Sequence, residues 1–226
     1  MGTWGITTFE SDSGLDAIDL IRGILPKNGE VELSRIIEAL QNDDLDYPKD
    51  PKEGYSHTSP MAVAEVVSTF LEGKAGDMDY DEDWAANDNK FRDVKSFTAD
   101  NSSISWLRDY LSSTLDSAIE NATFRSKYAV EKHAKWGGWV RESDWASWKD
   151  HMSMLIGKLD NLLASESDII EIFTIPKQTY EYLLKPVALD EQKLFFSNDS
   201  DVDQQTGCIG HYPRRNIIRE ELQHFH

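Results

Sequence analysis

The stretch SPMAVAEVVSTFLEG, residues 59–73, carries the clearest secondary-structure signal in the chain and predicts an α-helix. Ser59 can cap the first turn, Pro60 suits the first helical position, and Gly73 suits the residue after the last turn. Alanines at 62 and 64 would let a neighbouring helix approach closely. The spacing predicts an apolar face made of Ala64, Val67, Phe70 and Leu71. The fold is therefore expected to rest on packed helices.

Other segments repeat this helical spacing on both sides of that stretch. Apolar residues recur at helical intervals in the ranges 11–25, 31–42, 102–121, 123–136 and 142–165. The first of these helices is predicted to begin with a capping box formed by Ser13 and Asp16. Polar segments at 41–60 and 76–89 separate the helices and are predicted to be loops.

The pattern changes near Asp168. DIIEIFTI, residues 168–175, is short and rich in β-branched residues, which favours a strand. Further strands are predicted at 193–196 and 208–212, with one short helix at 176–185. The predicted fold class is therefore mostly α, with a helical bundle-like domain at residues 1–167 and a small α+β C-terminal appendage at 168–226.

The charge balance restricts the classes of partner. The 226 residues include 23 Lys and Arg against 41 Asp and Glu, a formal net charge of −18. Nucleic acids and anionic membranes are polyanions, so neither is an expected partner. The excess of acids fits a basic protein partner or cation binding, and a purely solubilising role for the acidic surface is the alternative. The oligomeric state does not follow from the sequence.

The cellular setting follows from further features. Cys208 is the only cysteine, so an intramolecular disulfide is impossible, which suits a reducing compartment. The N-terminal residues lack the basic and apolar pattern of a secretory signal, and no apolar run reaches about 18 residues. We therefore expect a cytoplasmic bacterial protein.

The opening residues carry a family resemblance. Gly2-Thr3-Trp4-Gly5, followed by Phe9-Glu10, Asp12 and Asp16, resembles the start of the bacterial domain-of-unknown-function family numbered 4259. Helical segments up to residue 164 are similar to that family in patches. The resemblance implies a small, mostly helical bacterial protein and assigns no catalytic residue. The loops at 42–60 and 74–100 are longer than the family pattern, and residues 127–145 resemble an insertion.

The same opening residues also have a structural interpretation. Acids at the start of a helix are explained by capping and by the helix dipole. Trp4 and Phe9 are predicted to enter the hydrophobic core. In the C-terminal segment, Gly207–His211 resembles a Gly-Cys-Ile-Gly-His stretch of small uncharacterised Gram-positive and phage-associated proteins, and this resemblance assigns no function either.

Two patterns suggest metal sites, although no cofactor is expected. Four thiol and imidazole groups near the C-terminus could hold zinc, namely Cys208, His211, His224 and His226. The alternative is an ordinary strand followed by a frayed end. Alternating acids in the range 77–88 resemble a calcium loop, but Glu82 occupies the position at which such a loop needs glycine. A solvated acidic loop is therefore preferred there.

Catalytic motifs are missing from the sequence, and recognition residues are present. His57, His133 and His151 are isolated along the chain, and neither a G-x-S-x-G nor an H-E-x-x-H motif occurs. Tryptophan is enriched at binding hot spots, so Trp136 and Trp139 of the WGGW stretch are candidate anchors for a partner. The acidic candidates for binding are Asp79, Asp81 and Asp83. Burial of both tryptophans at the end of the bundle is the alternative.

The leading hypothesis is a non-enzymatic protein-binding or regulatory role that recognises a basic protein through acidic loops. An immunity-like inhibitor of a basic toxin, such as a nuclease, is its most specific form. The alternative from another class is a metal-binding protein or metal-assisted hydrolase.

Overall fold

A computed structural model of the chain describes residues 4–52, 58–79, 89–128, 142–165 and 167–175. Five α-helices dominate these described residues: α1 Asp12–Gly23, α2 Leu33–Gln41, α3 Thr58–Leu71, α4 Asn101–Tyr128 and α5 Trp145–Leu163. Three strands accompany them: β1 Glu30–Glu32, β2 Ser96–Asp100 and β3 Ile169–Thr174. The predicted class, a mostly α fold with a smaller α+β part, is confirmed.

Helix α3 occupies the centre of the core. Twelve of its 14 residues are buried, although the sequence predicted a single apolar face. A helix that is apolar on all sides is stable only when neighbours cover every side, and α1, α2, α4, α5 and β3 all pack against α3. The predicted stop is confirmed, since Gly73 has a φ of 69°, a conformation that favours glycine.

The three strands form one small sheet in the order β1-β2-β3. β1 is parallel to β2, with Val31 opposite Phe97, and β3 is antiparallel to β2. Phe70 of α3 packs its ring against Phe97 and Phe173, with ring centroids 5.1 and 5.5 Å away. The sheet is therefore attached to the helical core through an aromatic cluster.

Several element boundaries differ from the predictions. α1 is capped by Ser11, whose hydroxyl accepts a hydrogen bond from the Gly14 amide, so the capping box predicted at Ser13 and Asp16 is wrong. The predicted helix at 102–121 and the first part of that at 123–136 form one continuous helix, because nothing between them breaks α4. β1 and β2 were missed, since strands of three and five residues are too short to show a clear period.

The chain divides into two compact units, Met1–Ile175 and Pro176–His226, and every described residue belongs to the first unit. The strand predicted at 168–175 is present as β3, but it pairs with β2 of the first unit. The division therefore falls after residue 175, where the sequence placed it after 167. Among the described helices, none combines the length and the apolar character needed to cross a bilayer.

Candidate functional site

The loop between α2 and α3 holds apolar side chains out in solvent. The leucine side chain of Leu45 is 85% exposed and the tyrosine side chain of Tyr47 is 49% exposed. Both lie in a segment, NDDLDYPKDPK at 42–52, that carries four carboxylates and two lysines. We call this segment the acidic loop. Apolar side chains that a loop exposes beside charges are candidates for anchoring a protein partner.

Hydrogen bonds fix the conformation of the acidic loop. The Asp43 carboxylate accepts hydrogen bonds from the amides of Leu45 and Asp46, at 2.8 and 2.9 Å. The Ser59 hydroxyl, at the start of α3, donates to the Asp46 carbonyl at 2.6 Å. Leu45 is therefore held in its exposed position by a turn that is fastened to the central helix.

Asp46 is the buried residue of this turn. The residue is 8% exposed, and burial together with the negative charges of Asp43 and Asp16 raises its pKa to about 6. Ionisation of this buried carboxyl group is unfavourable, so its negative charge lowers the stability of the folded protein at neutral pH.

An open groove lies between the acidic loop and α4. Its volume is about 440 Å³, and it is lined by Gln41, Tyr47, Pro48, Lys49, Asp50, Pro51, Trp106 and Tyr110. We call it the aromatic groove. Trp106 and Tyr110 are one helical turn apart, with ring centroids 5.6 Å from each other. Together they form an aromatic wall that faces the prolines of the loop.

Tyr110 also joins the two sides of the groove. Its hydroxyl donates a hydrogen bond to the Lys49 carbonyl at 2.5 Å. Burial and the nearby charge of Asp50 raise the pKa of Tyr110 above its ordinary value, so the phenol stays protonated and remains a donor at physiological pH. This hydrogen bond therefore ties the acidic loop to α4 along the groove.

The structure describes one of the three acidic residues that the sequence suggested for binding, Asp79. The Asp79 side chain is 0% exposed, and its carboxylate accepts hydrogen bonds from the Phe91 amide, the Arg92 amide and the Arg92 guanidinium at 2.6, 3.0 and 2.9 Å. These bonds fasten residue 79 to the segment that follows residue 88. The protein's own donors thus occupy the Asp79 carboxylate, and Asp81 and Asp83 lie outside the described residues.

The other sequence candidates also fall outside the described residues. These are Trp136, Trp139, Cys208, His211, His224 and His226. Their proposed roles as binding anchors and zinc ligands remain predictions. Within the part of the chain that the structure describes, no group of three or more His, Cys, Asp or Glu side chains is placed to hold a metal ion.

A buried polar network surrounds Glu65 in the middle of α3, and the sequence analysis missed it. The Glu65 carboxylate accepts hydrogen bonds from the amide and the hydroxyl of Thr8, and it lies 2.6 Å from Nε2 of His151 on α5. The side chains of Glu65 and His151 are 6% and 14% exposed. Glu65 is the only charged residue of α3, and a single charge in an otherwise apolar helix is the sequence feature that could have indicated a buried polar contact.

The network organises the opening residues of the chain. The Glu10 carboxylate accepts hydrogen bonds from the amides of Ile6 and Thr7 and from the Thr7 hydroxyl. These bonds, with a contribution from the charge of His151, lower the pKa of Glu10. The network therefore fixes the opening residues as a structural unit on α3 and α5.

The Thr8 hydroxyl donates to the Glu65 carboxylate, which also contacts His151, so these three side chains join the opening residues to α3 and α5. Phe9 packs partly buried against the core as predicted, but Trp4 is 50% exposed and does not enter it. The opening stretch is thus a structural clip with one exposed tryptophan.

Comparison with known proteins gave no match to a family model, to a curated protein or to a solved structure. The resemblance to the family numbered 4259 therefore remains a prediction.

Proposed function

We propose that this protein is a non-enzymatic binding protein that recognises a basic protein partner through the acidic loop and the aromatic groove. The observation that carries the proposal is the exposure of Leu45 and Tyr47 within an ordered, acid-rich loop. Apolar anchors supply affinity after desolvation, and the surrounding charges select the partner and accelerate encounter.

The whole-chain charge supports the same proposal. At −18, the protein attracts basic proteins over distances of about a Debye length and repels polyanions. A preformed groove also reduces the entropy that binding would cost, because the hydrogen bonds of Asp43, Ser59 and Tyr110 already order its walls.

An affinity pull-down from the native host tests the proposal. Wild-type protein is expected to capture a basic protein, identified by mass spectrometry, and to release it as the salt concentration rises. The double variant Leu45→Ser/Tyr47→Ser is expected to lose the capture. Ile119→Ser removes an apolar side chain that is 41% exposed on α4, and this control is expected to retain it. Capture that is independent of salt and of the loop residues would refute the proposal.

Inhibition of a basic toxin, such as a nuclease, is the narrower form of this proposal. The acidic loop would then compete with the anionic substrate for the basic surface of the toxin. Adding the purified protein to the captured partner should abolish the partner's nuclease activity, and the loop variant should not. A captured partner with unchanged activity would refute the inhibitory role and leave the binding role in place.

A further inference from the structure

The aromatic groove brings together aromatic rings and a carboxylate, and both groups bind organic cations. Trp106 and Tyr110 present neighbouring aromatic rings, tilted by 33° to each other. Asp50 lines the same groove, and its charge acts on the Tyr110 hydroxyl. An aromatic face beside a carboxylate suits a cation that can stack and donate hydrogen bonds at the same time.

Guanidinium fits this combination better than ammonium. The planar guanidinium of arginine stacks on an aromatic ring and offers paired donors to a carboxylate, whereas the ammonium of lysine is a compact and strongly hydrated point charge. The groove volume of about 440 Å³ lies within the range of about 300–1,000 Å³ that is usual for ligand pockets. An arginine side chain with its methylene stem can therefore lie along the aromatic wall.

The charges around the groove favour the same occupant. The acidic loop contributes carboxylates at Asp43, Asp44, Asp46 and Asp50, against ammonium groups at Lys49 and Lys52. We propose that the aromatic groove binds an arginine side chain of the basic partner, with the guanidinium stacked on Trp106 and hydrogen-bonded to Asp50. This inference rests on the proposed function and names the chemistry by which the site recognises its partner.

Two peptides of equal charge test the inference. Tetra-arginine and tetra-lysine are titrated into the full-length protein by isothermal calorimetry at fixed salt, so that long-range attraction is the same for both. Tetra-arginine is expected to bind about five-fold more tightly, as one cation–π contact supplies roughly this difference. Trp106→Leu is expected to bring the ratio close to one. Tyr128→Leu, an exposed aromatic residue about 33 Å further along α4, is expected to preserve it.

A charge variant keeps the test valid if Trp106→Leu folds poorly. Asp50 lies on the exposed loop, and Asp50→Asn is expected to weaken tetra-arginine more than tetra-lysine. Asp116→Asn, which removes an equal charge from the exposed face of α4, should weaken both peptides equally. Circular dichroism confirms that each variant is folded.

The outcomes separate this inference from the proposed function. Equal binding of the two peptides to wild-type protein, or an arginine preference that survives both Trp106→Leu and Asp50→Asn, would overturn the arginine inference. Loss of partner capture in the Leu45→Ser/Tyr47→Ser variant would still support the proposed function in that case. If neither peptide binds and the loop variant captures the partner as well as wild type does, both proposals fail.

Discussion

Removal of the Glu65 carboxylate is expected to destabilise the protein far more than removal of the Glu72 carboxylate, which lies just after the end of the same helix. Glu65→Ala takes away the acceptor for the Thr8 amide and hydroxyl and the partner of His151. Glu72→Ala removes a carboxylate that also pairs with α5, through Lys158, but whose side chain is 42% exposed. The two residues are two turns apart, so the comparison isolates the effect of burial.

The expected magnitudes follow from these environments. Removing the buried Glu65 carboxylate costs about 3–5 kcal/mol, because the Thr8 amide and hydroxyl and the His151 ring lose both their partner and access to water. An exposed ion pair such as that of Glu72 contributes about 0–1 kcal/mol, since water and salt screen it. Glu65→Gln keeps the side-chain volume and one acceptor oxygen for Thr8, so its expected cost is about 1–3 kcal/mol.

Urea denaturation at pH 7, followed by tryptophan fluorescence and far-UV circular dichroism, measures these differences. With a slope of about 2 kcal/mol per molar urea, Glu65→Ala should lower the unfolding midpoint by about 2 M. If Glu65→Ala is too unstable to purify, Glu65→Gln supplies the measurement. A double-mutant cycle with Thr8→Val should give a coupling energy of about 0.5–3 kcal/mol.

The reasoning would be refuted if Glu65→Ala and Glu72→Ala differed by less than about 1 kcal/mol in unfolding free energy. The Glu65 carboxylate would then contribute no more than a surface ion pair, and the clip formed by the opening residues would be held by apolar packing alone.

Three further predictions concern backbone packing, pH dependence and the fastening of residue 79. Gly14→Ala would place a Cβ atom 1.9 Å from the Thr8 carbonyl oxygen and should lower the free energy of unfolding by about 1–3 kcal/mol. The control Gly157→Ala places its Cβ atom where nothing lies within 4 Å, so it should be neutral or stabilising by up to about 1 kcal/mol. Urea unfolding measures both. Since the pKa of Asp46 is raised from 3.8 to about 6, the folded state binds its proton more tightly than the unfolded chain, and stability falls as the pH rises through this window. Asp46→Asn should therefore raise the unfolding free energy by about 2–3 kcal/mol at pH 7 and change it little near pH 3, while the exposed control Asp44→Asn should show no such pH-dependent gain. Asp79→Ala leaves three donors without their acceptor and should lower the free energy of unfolding by about 2–3 kcal/mol, as measured by thermal denaturation. A variant as stable as wild type would contradict the role of Asp79 in holding these two segments together.

Much of the helical architecture could be predicted from local sequence. Apolar spacing placed α1, α2, α3 and α5 to within a few residues, because a helix that packs on a core must repeat its apolar side chains every 3.6 residues. The stop at Gly73 followed from the conformational freedom of glycine. The acidity of the surface and the strand that became β3 were also read from the sequence alone.

Other features depend on pairings that no local pattern contains. The carboxylate of Glu65 meets His151 across 86 residues, and Tyr110 meets the Lys49 carbonyl across 61. The sequence showed His151 as an isolated histidine and residues 41–60 as a polar loop, with neither of these contacts. β1 is defined by its pairing with β2, and β2 by its pairing with both β1 and β3.

Local periodicity thus determined which segments of this protein are helical and which of their faces are apolar. The tertiary structure alone decided that α3 is covered on every side, that its single acid is satisfied by Thr8 and His151, and that Leu45 and Tyr47 remain in solvent beside an aromatic wall. The physical reason is that burial and hydrogen-bond partners belong to the packing of distant segments, whereas periodicity describes one segment at a time.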